Sequence, residues 1–182
     1  MNDQRTMLAD VVTRLFTERV TKEAIEAAEK GTWPKALWDA VEENGLTVPL
    51  VPEAKGGAGM TWLDAHVIVT AAGRHAVPLP IAETIVASAL LAAAGLDVPE
   101  GPLTIAPTHL DETIRLARHG DGWRATGTVT RVPWGFDAAH VVVVAEVDGR
   151  ATVGLIATAG ARTTRDKNIA LEPRAGQRTS GK

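Results

Sequence analysis

The sequence predicts an α+β chain: an N-terminal all-α helical domain over residues 1–100, followed by an incomplete antiparallel β-barrel-like domain over residues 101–182. Three observations carry this. Up to residue 100, apolar residues recur at helical spacing among abundant alanines. Beyond it, short alternating segments are separated by Gly and Asp-Gly pairs. The 182 residues, 45% hydrophobic and 23% charged, suffice for one full core or two small ones and lie outside the composition of disordered chains.

Met7, Leu8, Val11, Val12, Leu15 and Phe16 mark the apolar face of a first helix. Thr21 caps a second, TKEAIEAAEK, which stops at Gly31. Thr32 caps a third with Pro34 in its first turn; Leu37, Trp38, Ala40 and Val41 form its apolar side and Gly45 ends it. The stretch LTVPLVPEAKGGAGM is a loop that touches the core through Leu46, Val48, Leu50 and Val51. Thr61 and Asp64 make a T-x-x-D cap for a fourth helix. The fifth, over residues 81–94, is apolar nearly all round and is expected to be buried on every side, the most buried helix of the chain.

PLTIAP is a short strand. A hairpin turns at Asp121-Gly122 and a second at Asp148-Gly149, the strongest local hairpin signals. Val141, Val143 and Ala145 share one face of their strand; Val142, Val144 and Glu146 share the other. One apolar face is expected to pack on the helices. A weak last strand near Ile169 and Leu171 is expected as an open edge, with apolar surface exposed around residues 132–136. Two hairpins and short strands are too little to close a barrel, so self-association or a covering partner is expected.

A net charge of −3 without a basic patch argues against nucleic-acid binding. The absence of cysteine excludes disulfides, thiolate metal sites and a cysteine nucleophile, and fits a cytoplasmic location. No apolar run is long enough for membrane insertion. Ser88 and Ser180 are the only serines, and neither sits in G-x-S-x-G. No metal site is expected: the histidines lack H-x-x-x-H spacing, and His109, Asp111 and Glu112 read as a solvated turn. The glycines of GGAG at residues 56–59 follow Lys55 instead of preceding a Lys-Ser/Thr pair, so they read as a tight turn and not as a phosphate loop.

Trp38 and Trp62 fall on apolar helix faces as core residues, Trp33 packs at a helix start, and Trp123 packs on the sheet. Trp134, in RVPWG past a strand, is either a lid on the β core or a platform for a flat ligand. Ile85, Ser88, Ala89 and Ala92 share one helix face at i, i+3, i+4 and i+7. That face serves either close helix packing, with Ser88 bonded back to its own backbone, or the wall of a slot for an acyl chain.

Along the chain stand GLTVPLVPEAKGGAGM, then GDGWRATGTVTRVPWGFDAAHVVVVAEVDG, then NIALEPR. This order resembles the acyl-CoA dehydrogenases. Residues 45–59 match the family's G-L-x-x-x-x-V-P-E-x-x-G-G-x-G loop. Residues 120–145 match most of its G-D-G-W-x-x-x-G-x-x-x-x-V and A-D-x-x-V-V-x-A patterns, with His140 at the usual Asp. The resemblance implies oxidation of an acyl-CoA thioester, fatty-acyl or sterol side chain, to the 2-enoyl-CoA with FAD as hydride acceptor. The family's catalytic Glu belongs to a C-terminal helical bundle that has no counterpart in these residues, so no catalytic residue is assigned. The T-E-P-like flavin loop is replaced by TIAPTHLDE. The place of the flavin-side Trp falls on Arg131, with Val132 and Pro133 next and Trp134 three residues later; these four are the expected cofactor-binding residues. The expected partners are the acyl-CoA substrate and a C-terminal bundle or partner subunit, in a homo- or hetero-oligomer. The alternative is a divergent or truncated family member acting as a non-catalytic scaffold.

Overall fold

The computed structural model describes residues 3–106, 112–120, 122–159, 162–169 and 171–179. The chain divides into two compact units, Met1–Ala89 and Leu90–Lys182. The first is helical: α1 (Asp3–Arg19), α2 (Lys22–Glu29), α3 (Lys35–Glu43), α4 (Trp62–Arg74) and α5 (Ile81–Ala93), whose last turn is counted with the second unit. Val12 and Phe16 of α1 pack with Trp38 and Val41 of α3 and Ile68 of α4.

Local chemistry sets most helix starts. The Thr21 hydroxyl accepts the Ala24 N–H at 3.2 Å. The Asp64 carboxylate accepts both the backbone N–H and the hydroxyl of Thr61, at 2.9 and 2.6 Å. Thr32 does not cap α3. Its N–H closes α2 on Ala27, and Pro34 is the capping residue. The restriction that proline places on its predecessor, Trp33, keeps the helix from starting earlier.

Three apolar expectations fail here. Met7 and Val11 are 68% and 39% exposed, so only part of the α1 face is covered. Trp62 is 63% exposed: it opens α4 one turn ahead of the buried line Ala65, Ile68, Ala71. On α5, Ala82 and Ala93 are exposed, so that helix is not buried on every side.

The loop before α4 folds on itself, with Gly59 N–H on Val51 C=O and Met60 N–H on Pro49 C=O. It buries Leu46 and Val51, while Val48 and Leu50 are half-buried. Gly57 is where this loop closes: a Cβ there would lie 2.1 Å from the Val51 oxygen. The GGAG segment is thus a packing turn.

The second unit holds β1 (Leu103–Ile105), β2 (Ile114–His119), β3 (Gly122–Pro133), β4 (His140–Val147), β5 (Arg150–Ala157), β6 (Arg162–Lys167) and β7 (Pro173–Thr179). They form a three-stranded sheet, β1-β4-β5, and a four-stranded sheet, β2-β3-β7-β6. No closed barrel is present among the described residues. β1 runs parallel to β4, a departure from an all-antiparallel arrangement, because the chain crosses through the other sheet between them.

Both expected hairpins form. In the second, Val147 pairs with Arg150 across Asp148 and Gly149, both at positive φ. In the first, His119 pairs with Gly122, so the turn is centred one residue earlier than expected; Asp121 lies outside the described residues, as do His109 and Asp111. Near the end, Ile169 and Leu171 form no strand. They sit in the turn between β6 and β7, where the Asn168 side chain accepts the Glu172 N–H at 2.9 Å. The strand alternation of β4 holds, and Val141 and Val143 pack on Ile114, Val129, Val132 and Ala175 of the other sheet.

Candidate functional site

The turn that follows β3 carries the four expected cofactor residues. The β3–β7 register shifts between Val129 and Val132, and Arg131 inside that bulge has φ +55°. Trp134 follows at φ +52°. Two non-glycine residues in left-handed backbone, so close together, mark a turn held by its surroundings. The holds are visible. The Trp134 N–H donates to Pro173 C=O at 2.9 Å, and the N–H groups of Asp137 and Ala138 donate to Trp134 C=O at 3.0 Å. The Thr104 hydroxyl donates to Pro133 C=O at 2.5 Å. From outside the bulge, the Glu112 carboxylate accepts the N–H and hydroxyl of Thr130.

The side chains of this turn point differently from expectation. Val132 is fully buried and Trp134 is 6% exposed, so no exposed apolar patch lies there. Pro133 is half-buried, and Arg131 alone of the four is exposed. The burial of Trp134 fits the lid reading of the two left open for it.

Beside the turn, Arg165 stacks over the Phe136 ring at 4.5 Å. Burial pushes the half-buried Asp137 carboxyl above its ordinary value, with the charge of Arg165 pulling the other way. Sequence reasoning missed this Phe136–Asp137–Arg165 group, because the β6–β7 hairpin that brings Arg165 there was not recognised.

On α5, Ile85 and Ser88 are buried, and Ala89 and Ala92 are half-buried. Ile85 is one member of the helical core cluster. The Ser88 hydroxyl is buried without a hydrogen-bond partner, so it is not bonded back to its own helix. In the first unit, the Thr61 hydroxyl and N–H, with Arg5 at 2.8 Å, hold the Asp64 carboxyl at about 2. That is a structural cap, not a reactive group. No group of three or more His, Asp or Glu suited to a metal occurs among the described residues, and none of their helices is long and apolar enough to cross a membrane.

Residues 2–97 match the family described as acyl-CoA dehydrogenase, N-terminal domain. The acyl-CoA dehydrogenase IpdE2 of Mycobacterium tuberculosis is 36% identical over 100 residues, which is 52% of this chain and 31% of that protein. Among solved structures, a variant of the Tcur3481-Tcur3483 steroid ACAD superposes with a TM-score of 0.85 at 25% identity, covering 98% of this chain and 55% of that one. The ChsE4-ChsE5 complex of Mycobacterium tuberculosis gives 0.80 at 24% identity, covering 100% and 55%. The chain thus spans about a third of that curated relative and about half of the solved chains.

Proposed function

Since the chain belongs to the acyl-CoA dehydrogenase family, we propose that it forms the helical and β portions of an enzyme that oxidises an acyl-CoA thioester to the 2-enoyl-CoA. FAD, when bound to such an assembly, accepts the hydride. The observation that supports this reading is the family match over residues 2–97, which takes in the 45–59 loop, α4 and α5, followed by a second unit of two sheets.

We assign the acyl slot to the α5 face of Ile85, Ser88, Ala89 and Ala92. Ser88 supplies a buried hydroxyl without a protein partner, and the two half-buried alanines beside it have the smallest side chains that a helix face can offer. A polar group on the substrate next to that hydroxyl offsets its desolvation. The base that removes the α-proton lies outside this chain's residues in this reading, as does part of the flavin site. The partner is accordingly the bundle that carries that base, or a subunit that does.

Arg131, Val132, Pro133 and Trp134 do not fit a flavin platform within this chain. The indole that would stack is buried, Val132 is sealed, and an exposed arginine stands at the family's Trp position. No step is therefore derived through the flavin. This favours a second reading: a divergent family member that serves as a non-catalytic partner subunit.

The two readings separate on one measurement. The purified full chain is equilibrated with FAD and the bound flavin absorbance is recorded. Stoichiometric yellow protein supports the oxidoreductase reading for the chain itself. Colourless protein that still binds an acyl-CoA supports the partner subunit. Failure to bind either one removes both.

A further inference from the structure

Apart from the turn, the second unit opens a groove of about 880 Å³, bordered at the end of α5 by Leu90, Ala93 and Ala94. One wall is β5, and every residue from Ala151 to Ala157 borders the groove in turn. A strand presenting one face would contribute alternate residues; contiguous lining means that β5 meets the groove with its edge. Its other edge is taken by β4, and no strand pairs with this one among the described residues. Leu116 of β2 and Trp123 and Ala125 of β3 line the groove as well. Trp123 is 48%, Leu96 38% and Leu155 37% exposed, and all three line the groove, while Val144, Ile169 and Leu171 are exposed elsewhere on the unit.

The free edges differ in how they are guarded. β2 carries Arg115, Arg118 and His119; β6 carries Arg162, Arg165, Asp166 and Lys167; β1 is three residues long. Charge and brevity are the ordinary protections against strand pairing. β5, RATVGLIA, has eight residues, no proline, and its single charge at the first position. Its alternate N–H and C=O groups face an apolar groove, so an occupant must bring extended backbone with both donors and acceptors. An apolar small molecule leaves them unpaired. A charge stands beside the groove, on a residue that does not itself line it. The Arg118 guanidinium lies 4.4 Å above the Trp123 ring, with no carboxylate in ion-pair contact among the described residues.

We propose that this groove binds an extended peptide segment of another protein, which adds to the free edge of β5 as a fourth strand, lays apolar side chains on Leu116 and Trp123, and sets a carboxylate on Arg118. The proposal stands apart from the dehydrogenase reading.

The test uses the full chain and an acetylated eight-residue peptide, glutamate followed by alternating leucine and threonine. Its comparison peptides carry lysine for the glutamate, or N-methyl groups on alternate amides in one phase or the other. Binding is read by fluorescence and by amide exchange of β5. The glutamate peptide is expected to bind and to protect alternate β5 amides, the lysine peptide about tenfold less tightly. Arg118→Ala is expected to remove that difference. Methylation in one phase is expected to abolish binding and in the other to spare it. Equal binding of both methylated peptides means an apolar groove without strand pairing, and overturns the proposal. Absence of binding by any peptide overturns it too. So does self-association of the chain that protects the same amides without peptide, because a second copy is then the occupant.

Discussion

Single residues here show how environment decides meaning. Gly57 has ordinary backbone, yet a Cβ would meet the Val51 oxygen at 2.1 Å. Gly57→Ala is expected to lower stability by roughly 1–3 kcal/mol, the usual cost of forcing atoms into a closed contact. Gly73, inside α4, has nothing within 4 Å of an added Cβ, and Gly73→Ala is expected to raise stability by roughly 0.5–1 kcal/mol. Urea titration of the two variants checks both signs. Asp137 gives a pH prediction. Its folded pKa is raised above the ordinary 3.8, so the folded chain holds the proton more tightly than the unfolded one. This contribution is full below 3.8 and is lost as pH rises through the folded value. Asp137→Asn is therefore expected to flatten the pH–stability curve in that window and to exceed the parent in stability at neutral pH. Denaturation midpoints across the acid range decide it.

At the scale of elements, the signals that survived are those with local chemistry behind them. The Thr21 cap, the Thr61–Asp64 pair and the Asp148-Gly149 turn could be read from sequence because each is decided within four residues. What was illegible depends on distant chain. Nothing near Trp62 says that the core ends one turn short of it, and nothing near RVPWG says that Trp134 turns inward. The weak strand assigned near Ile169 became a turn because Asn168 binds the Glu172 N–H, and two charged segments on either side became the strands. Periodicity of apolar residues cannot find such strands, since RTTRDK has none. The α5 face was legible as a face, while its burial was not uniform. Ala89→Phe fills the proposed slot from that face. It is expected to abolish binding of long-chain acyl-CoA and spare short-chain acyl-CoA, with unchanged far-UV circular dichroism. Equal calorimetric affinities for both lengths would count against the slot.

At the scale of the whole molecule, the change from helices to strands was visible near residue 100, whereas the two compact units divide after Ala89, inside α5; each unit has its own buried cluster. The helical cluster centres on Phe16, Val41 and Ile68, and the β cluster on Val132, Val141 and Ala175. The clusters have no residue in common, which gives a prediction about energetic coupling. Ile68→Val removes one methyl from the first and should cost roughly 0.5–1.5 kcal/mol. Val132→Ala removes two methyl groups from the second, where the side chain is fully buried, and should cost roughly 2 kcal/mol from transfer and cavity together. Substitutions without shared packing partners add to within about 0.5 kcal/mol. The double variant, followed by chemical denaturation with fluorescence and circular dichroism in parallel, is therefore expected to lose the sum of the two single losses. An interaction energy well above that margin would mean that the two clusters respond as one core, and that the chain is a single cooperative body despite its change of texture.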